Sequence, residues 1–402
     1  MKKVLSVVLT AVLLLSLVFS FAGCGTEKSG DGNASSFKVG AIYINSQNDT
    51  AGYTFAHHNG ISTAIKNLGI PTENLYIIDN VPEDDTEVSN AIDTLAGKGC
   101  NIIFGISFGY INAFAAAAEK EEYSDIIFSH ATGYLSNETN FNNYFGRIYQ
   151  ARYLSGIAAG MKSAELGNNN IGYVAAWGTE YAETCSGINA FALGAQSVNP
   201  EAVVHVNKIS TWGDETLEKQ AAQSLIDTYD CCVISQHCDS AQPQLVAADN
   251  KIFGCGYNSD MTEQAPTAHL TAPVWNWNVY YELAIKTAME DPQNYMSKVG
   301  NYYGGLKEDF VDVSAVSKNN TEGTDKVIGA VKKLMVDGEW DVFSGVKLSY
   351  TKNSDGSYTV NKSDAQLKTN DGTVVVEAGG ASVGDDVIKG SMNYYVEGVI
   401  EG

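Results

Sequence analysis

Gly105-Ile106-Ser107-Phe108-Gly109 has the GxSxG pattern of a nucleophile elbow. In that turn a strained strand-to-helix junction lifts a serine hydroxyl clear of a sheet, where it can attack an acyl carbon. Asp239 or Asp260, followed by His269, would complete a Ser–Asp–His order. Against this stand two facts: no HGGG-type oxyanion loop is present, and the chain beyond His269 is long for an α/β-hydrolase. A strand ending in Gly and Ser before a helix also serves wherever backbone must approach a ligand closely. That is the preferred reading of Ser107, and no catalytic residue is assigned.

Metal and phosphate chemistry find less support. His57-His58 and His237-Cys238-Asp239 contain ligating types. Adjacent side chains on a helix point about 100° apart, so the first pair cannot chelate together. Gly97-Lys98-Gly99 lacks the spacing and hydroxyl of a phosphate loop, and no GxGxxG follows the first strand. No metal and no cofactor are expected. The seven cysteines form no CxxC pair. Cys231 and Cys232 open an apolar run, which suits buried free thiols. Tyr53 and Phe55 follow a polar turn; either both pack the helix or one of them, Tyr53 directly after Gly52, stacks on an aromatic ligand.

The elements that would position these groups alternate. Lys38–Ile44, Leu75–Ile78, Ile102–Ser107 and Ile126–Ser129 read as strands. Helical spacing recurs at Ile61/Ala64/Ile65/Leu68, at Val88/Ile92/Leu95 and in the Ala-rich Tyr110–Lys120. Such a βαβα series implies a parallel sheet covered on both faces. A second series follows, with a boundary turn near Tyr149–Tyr153. Its helix faces are Leu154/Ile157/Ala158/Met161, Tyr181–Leu193 and Leu217/Ala221/Leu225; its strands are Ile171–Ala176, Val203–Val206, Cys232–Ser235 and Ile252–Tyr257. Val274–Ala288 reads as a helix crossing back, and Asn353–Gly384 as a hairpin insertion.

Ligands of open parallel sheets bind beyond the carboxyl ends of the strands. Those ends collect Asn45–Asp49, Ser107–Tyr110, His130–Tyr134, Trp177, Trp212, Gln236–Asp239, Asn258–Asp260 and Trp275–Trp277. The set holds four of the five tryptophans and few cations, which suits a flat, neutral, hydrogen-bonding ligand.

Composition agrees. The 402 residues imply about two domains. Lys and Arg total 25 against 47 Asp and Glu, a net charge of −22, and Arg147 and Arg152 are the only arginines. Nucleic acid and anionic lipid are therefore poor partners. At the N-terminus, Lys2 and Lys3 precede an apolar run from Val4 to Phe21 and then Ala22-Gly23-Cys24. This is a secretory signal ending in a segment that resembles the lipobox of bacterial lipoproteins, so Cys24 is the expected lipidated N-terminus. Residues 25–36 form a polar tether.

Several stretches jointly resemble the basic membrane protein family of substrate-binding lipoproteins, related to the purine nucleoside receptor. They include NDTAGYTFAHHNG (48–60), FGISFGY (104–110), HATGY (130–134), YFGRIYQARYLSGIAAG (144–160), IGYVAA (171–176), GINAFALGAQSVNP (187–200), GYNSDM (256–261), HLTAPVWNW (269–277) and MNYYVEGV (392–399). The resemblance implies an α/β, type I periplasmic-binding fold: two Rossmann-like doubly wound lobes, a multi-strand hinge and ligand in the cleft. It divides the chain into a signal peptide (1–23), tether (24–36), first lobe (37–150 with about 275–312) and second lobe (151–273 with part of 313–402), with the insertion at 353–384. It further implies an ABC permease as partner, a lipid-anchored extracytoplasmic location and a monomer that is not an enzyme. By the same resemblance Asn48 and Asp49 lie by the ligand, and Tyr53 and Phe108 contact the base. The family's ribose-binding Asp and Lys positions are here Asn258 and Trp275, while Asp260 is retained. With Trp177, these are the expected binding residues. Losing that Asp and Lys shifts the expected ligand from a purine nucleoside to a free nucleobase, adenine first. A ligand sensor without transport and a hydrolase using Ser107 are the alternatives.

Overall fold

The computed structural model describes residues 34–402; the signal sequence, Cys24 and most of the tether lie outside the described residues. The chain first runs β1 (Val39–Tyr43), α1 (Gly52–Asn67), β2 (Leu75–Ile78), α2 (Asp85–Gly97), β3 (Ile102–Ile106), α3 (Ile111–Ala118), β4 (Ile127–Ala131) and β5 (Phe141–Gly146). It continues with α4 (Ile148–Leu166), β6 (Asn170–Ala175), α5 (Ala182–Val198), β7 (Val203–Lys208), α6 (Glu215–Tyr229), β8 (Val233–His237), α7 (Gln242–Asp249) and β9 (Phe253–Cys255). Then come β10 (Pro273–Trp275), α8 (Trp277–Glu290), α9 (Tyr295–Lys298), β11 (Tyr302–Gly304), β12 (Val311–Val313) and α10 (Thr324–Val336). The last part holds β13 (Val346–Lys352), β14 (Tyr358–Asp364), β15 (Leu367–Lys368), β16 (Val374–Val376), α11 (Asp385–Gly390) and β17 (Val399–Glu401).

Two parallel sheets result. One has the order β11-β5-β4-β3-β1-β2 and the other β17-β7-β6-β8-β9. β1, β3, β4 and β8 are buried along their whole length. That is why β1 and β3 read as unbroken apolar runs: helices cover both faces of a parallel sheet. Helix starts are set locally. Asp84 caps α2 by accepting from the amides of Thr86 and Glu87, and Asp214 caps α6 through Thr216 and Leu217. Each such cap contributes about 1 kcal/mol.

The expected turn near Tyr149–Tyr153 is instead the first part of α4, a continuous 19-residue helix. The segment holds a helix because it packs on α5 at very close range. A Cβ on Gly156 would lie 2.1 Å from the Phe191 carbonyl, and one on Gly194 would lie 2.1 Å from that of Tyr153. The crossing back from the second sheet likewise splits into β10 and α8. β10 pairs antiparallel with β12, from Pro273↔Val313 to Trp275↔Val311, and the two lie on the connections between the lobes. In the late segment β13 pairs with β14, and β15 with β16, as two hairpins. Among the described residues no helix is long and apolar enough to cross a membrane.

Candidate functional site

The carboxyl ends of both sheets face one another across a narrow cleft of about 430 Å³, its open mouth included. From the first lobe come Ile44 after β1, Tyr53 in the first turn of α1, Ser107 and Phe108 after β3, Thr132 after β4 and Phe145 of β5. The second lobe supplies Glu183 in the first turn of α5, Trp212 after β7, His237 and Asp239 at and beyond the end of β8, and Tyr257 beyond β9. This is where the topology of open sheets places a ligand.

The lobes are shut on each other. The Gly52 amide donates to Ser259 Oγ at 3.0 Å, and Gln264 Nε2 to the Thr50 carbonyl at 3.2 Å. The rings of Phe108 and Tyr181 meet edge-on at 5.7 Å. Gly52 has φ +86°, and a Cβ there would sit 1.8 Å from the Asp239 carbonyl oxygen. Only glycine permits both that conformation and that approach.

Five aromatic rings, two carboxylates and one imidazole line the cleft, and no Lys or Arg does. Burial pushes Glu183 up to about 7, with the Arg152 guanidinium pulling the other way. Burial, then Glu218 and Glu183, hold Asp239 well above the usual carboxylate range. His237 is kept well below its ordinary value by burial and by Arg152, so it is neutral. Its Nε2 lies 3.4 Å from Glu183 Oε1. Behind this wall Arg152 is fully buried and donates from Nη1 to the Gln236 carbonyl at 2.5 Å. The buried Tyr53 Oη and His237 Nδ1 have no hydrogen-bond partner. Stacking faces with acceptors beside them suit a planar ring carrying N–H groups.

Of the expected binding residues, the structure brings Tyr53 and Phe108 together in the cleft. Trp177 flanks it, 5.1 Å from the Tyr181 ring and 6.4 Å from Trp212. Asn48 is exposed and Asp49 half-buried in the turn after β1, and neither is among the lining residues. Asn258, Asp260 and Trp275 line a separate groove against α1. Trp275 stacks on Trp277 at 4.5 Å and stands 4.8 Å from Phe145, so it backs a cleft wall. Asn258 is buried in the left-handed region, φ 67°, with both amide atoms unpartnered. Ile44, Phe145, Glu183, Tyr257 and the supporting Arg152 were not anticipated. Glu183 lies six residues beyond Trp177, past the strand end itself. Arg152 did carry one signal, as one of two arginines in so acidic a chain.

The other chemistry-bearing groups have structural partners. Ser107 Oγ donates to Glu83 at 2.5 Å, and His130 reaches only the Ser107 carbonyl. His269 lies with Asp260 and Ser314. His57 bonds Tyr281 and His58 bonds Tyr43. Among the described residues no group of three or more His, Cys, Asp or Glu could hold a metal ion, and the six cysteines are buried free thiols.

Residues 37–342 match the family Bmp, described as ABC transporter substrate-binding protein PnrA-like. A purine-binding protein of Brucella abortus is 33% identical over 363 residues, covering 90% of this chain and 92% of the relative. A Haloferax volcanii protein, provisionally named an ABC transporter glucose-binding protein, is 32% identical over 320 residues, 80% of this chain and 77% of its own. A solved ABC transporter solute-binding protein from Aeropyrum pernix superposes with a TM-score of 0.61 at 15% identity, covering 79% of this chain and 95% of that one. The last likeness carries the fold: two doubly wound lobes and a hinge, of the type I periplasmic-binding class.

Proposed function

Because the chain belongs to the PnrA-like family of ABC transporter substrate-binding proteins, we propose that it is a receptor that holds a purine in the interlobe cleft and hands it to an ABC permease. A free nucleobase such as adenine is the favoured ligand, and the protein performs no catalysis. The observation that carries this reading is the cleft itself. Tyr53, Phe108, Phe145, Trp212 and Tyr257 offer stacking faces, Glu183 and Asp239 offer acceptors, and no cation is present to attract a phosphate. The purine-binding relative supports the same ligand class. The preference for the base over the nucleoside is supported by Trp275. At the position where the family resemblance expects a lysine, it packs between Phe145 and Trp277 and presents no ammonium to a sugar. Sugar hydroxyls buried without partners cost about 1–3 kcal/mol each.

Isothermal titration of adenine, adenosine, guanine, guanosine and glucose tests this. Adenine should bind at least as tightly as any of the others. Tighter adenosine would assign a surviving sugar pocket, and tighter glucose would replace the purine reading by that of the Haloferax relative. Hydrolysis of an ester or nucleoside that disappears in Ser107→Ala would overturn the non-enzymatic reading. Attachment through a lipid on Cys24 is part of the proposal. Cys24→Ala should leave the detergent phase on partitioning of whole-cell extracts, and retention there would refute the anchor.

A further inference from the structure

The carboxyl group of Glu183 stands at the cleft wall in an unusual state. No hydrogen bond reaches it among the described residues, and His237 Nε2 stands 3.4 Å from its Oε1. Its neighbours define its charge. From α4 comes Arg152, a buried cation. His237 from β8 is neutral, and Asp239 beyond β8 is held toward its protonated form. Tyr53 of α1, Tyr173 of β6, Tyr257 and Tyr303 are all displaced upward and remain neutral phenols. The first turn of α5 adds the partial positive charge of a helix N-terminus. One cation and a helix end therefore favour the ionised form, while burial opposes it.

A carboxyl group presents different faces in its two states. Neutral, it offers one O–H donor and one acceptor; ionised, it offers acceptors only. Adenine's amino edge carries an N–H donor beside a ring-nitrogen acceptor, whereas guanine's N1/N2 edge carries two donors. We infer that Glu183 is the residue that discriminates among ring edges in the cleft, pairing as the neutral acid with an adenine-type edge and as the carboxylate with a guanine-type edge. Glu183 can do this only if the ligand is a purine, as proposed above. The mismatched pairing sets a carboxylate against a ring lone pair, or an O–H against an N–H, and leaves buried groups unsatisfied. With Glu183 raised to about 7, both forms are accessible in the neutral range. Each base therefore draws the side chain toward its own protonation state, and selectivity follows pH.

Tryptophan-fluorescence titrations of the full chain with adenine and with guanine, at pH 6.0, 7.0 and 8.5, read this out. In the wild type the preference for adenine should fall at least about tenfold from pH 6.0 to 8.5, the change expected from linkage to one proton. Glu183→Gln fixes one donor and one acceptor at every pH. It should flatten the pH profile of the adenine-to-guanine ratio and hold that ratio on the adenine side, with guanine weakened. Far-ultraviolet circular dichroism confirms that the variant is folded. Both bases binding the wild type with a pH-independent ratio would overturn the inference and leave the purine reading standing. A pH slope surviving in Glu183→Gln would also overturn it, assigning the titration elsewhere, with Asp239 the next group to test. Failure of both bases to bind at every pH would overturn the purine reading and this inference together.

Discussion

The guanidinium carbon of Arg152 lies 3.6 Å from the centroid of the Tyr257 ring. Tyr257 is a wall of the cleft and Arg152 is wholly buried behind it. A desolvated cation over an aromatic face is worth about 2 kcal/mol. The same cation opposes the upward push of burial on Glu183 and adds to burial in lowering His237. One side chain therefore packs on an aromatic wall of the cleft and acts on the charge of the carboxyl group beside it.

Removing that cation should affect stability and titration together. Arg152→Met gives up the ring contact and the hydrogen bond to the Gln236 carbonyl, about 3 kcal/mol in sum, offset in part because Nε and Nη2 are buried without partners. It should lower the urea midpoint and move the pH profile of ligand binding upward, because Glu183 then loses its counter-charge. Arg152→Lys keeps the charge without the planar face. It should restore the pH profile more fully than the stability. Urea melts and binding at several pH values check both.

The stacking walls should differ in weight. Phe108→Ala and Trp212→Ala each remove a ring that lines the cleft. Base–aromatic stacking elsewhere is worth about 1–3 kcal/mol, so each should weaken binding by roughly 5- to 150-fold. Trp177 only flanks Tyr181 and Trp212, and Trp177→Ala should cost clearly less. Calorimetric titration of the three variants with one ligand orders them; an equal loss in all three would place Trp177 in the cleft.

Stability should carry the mark of Glu183 with a definite sign. Its folded value is raised from 4.5 to about 7. The folded protein therefore holds a proton that the unfolded chain releases, and this contribution is full below 4.5 and lost as pH rises through 7. Buried histidines run the other way: His57, His130, His237 and His269 are all pushed down by burial. The readout is therefore the difference between variants. Glu183→Gln should gain stability over wild type between pH 5 and pH 8 in thermal melts, and a constant difference would deny Glu183 its raised value.

How legible was this in the sequence? The parallel strands were, because burial on both faces makes them continuous apolar runs such as Lys38–Ile44 and Ile102–Ser107. β5 was not. Its sequence, FNNYFG, carries two asparagines whose side chains bond Gly300, Tyr280 and Leu135 rather than solvent, so polar residues hide a buried strand. Strand-end reasoning reached Ser107, Phe108, Trp212, His237 and Asp239 because the ends of parallel strands are countable along the chain. It missed Phe145 for lack of β5. It also missed Glu183, which enters from a helix start beyond a loop. The separation of Asn258, Asp260 and Trp275 into another groove was invisible for a further reason. Tyr257 lines the cleft while Asn258 beside it lines the groove against α1, and sequence order alone does not say which residue goes where.

Closure of the lobes brings backbone against backbone at Gly52. Gly52 opens α1 in the left-handed region, with its amide on Ser259 and its α-carbon against the Asp239 carbonyl of the opposite lobe. An alanine there meets two obstacles. The conformation at φ +86° costs an L-residue about 1–2 kcal/mol, and the methyl group would overlap the Asp239 oxygen at 1.8 Å. The first obstacle acts on one helix end. The second acts only when the lobes are shut, so Gly52→Ala should shift the protein toward an open form rather than unfold it. A ligand bound by both lobes favours the closed state through its differential affinity, and losing that state should weaken binding at least about tenfold. Small-angle scattering with saturating ligand should show a larger radius of gyration for the variant than for wild type, while circular dichroism stays the same. Equal radii and equal affinity would mean that the lobes close around this glycine without needing its missing side chain.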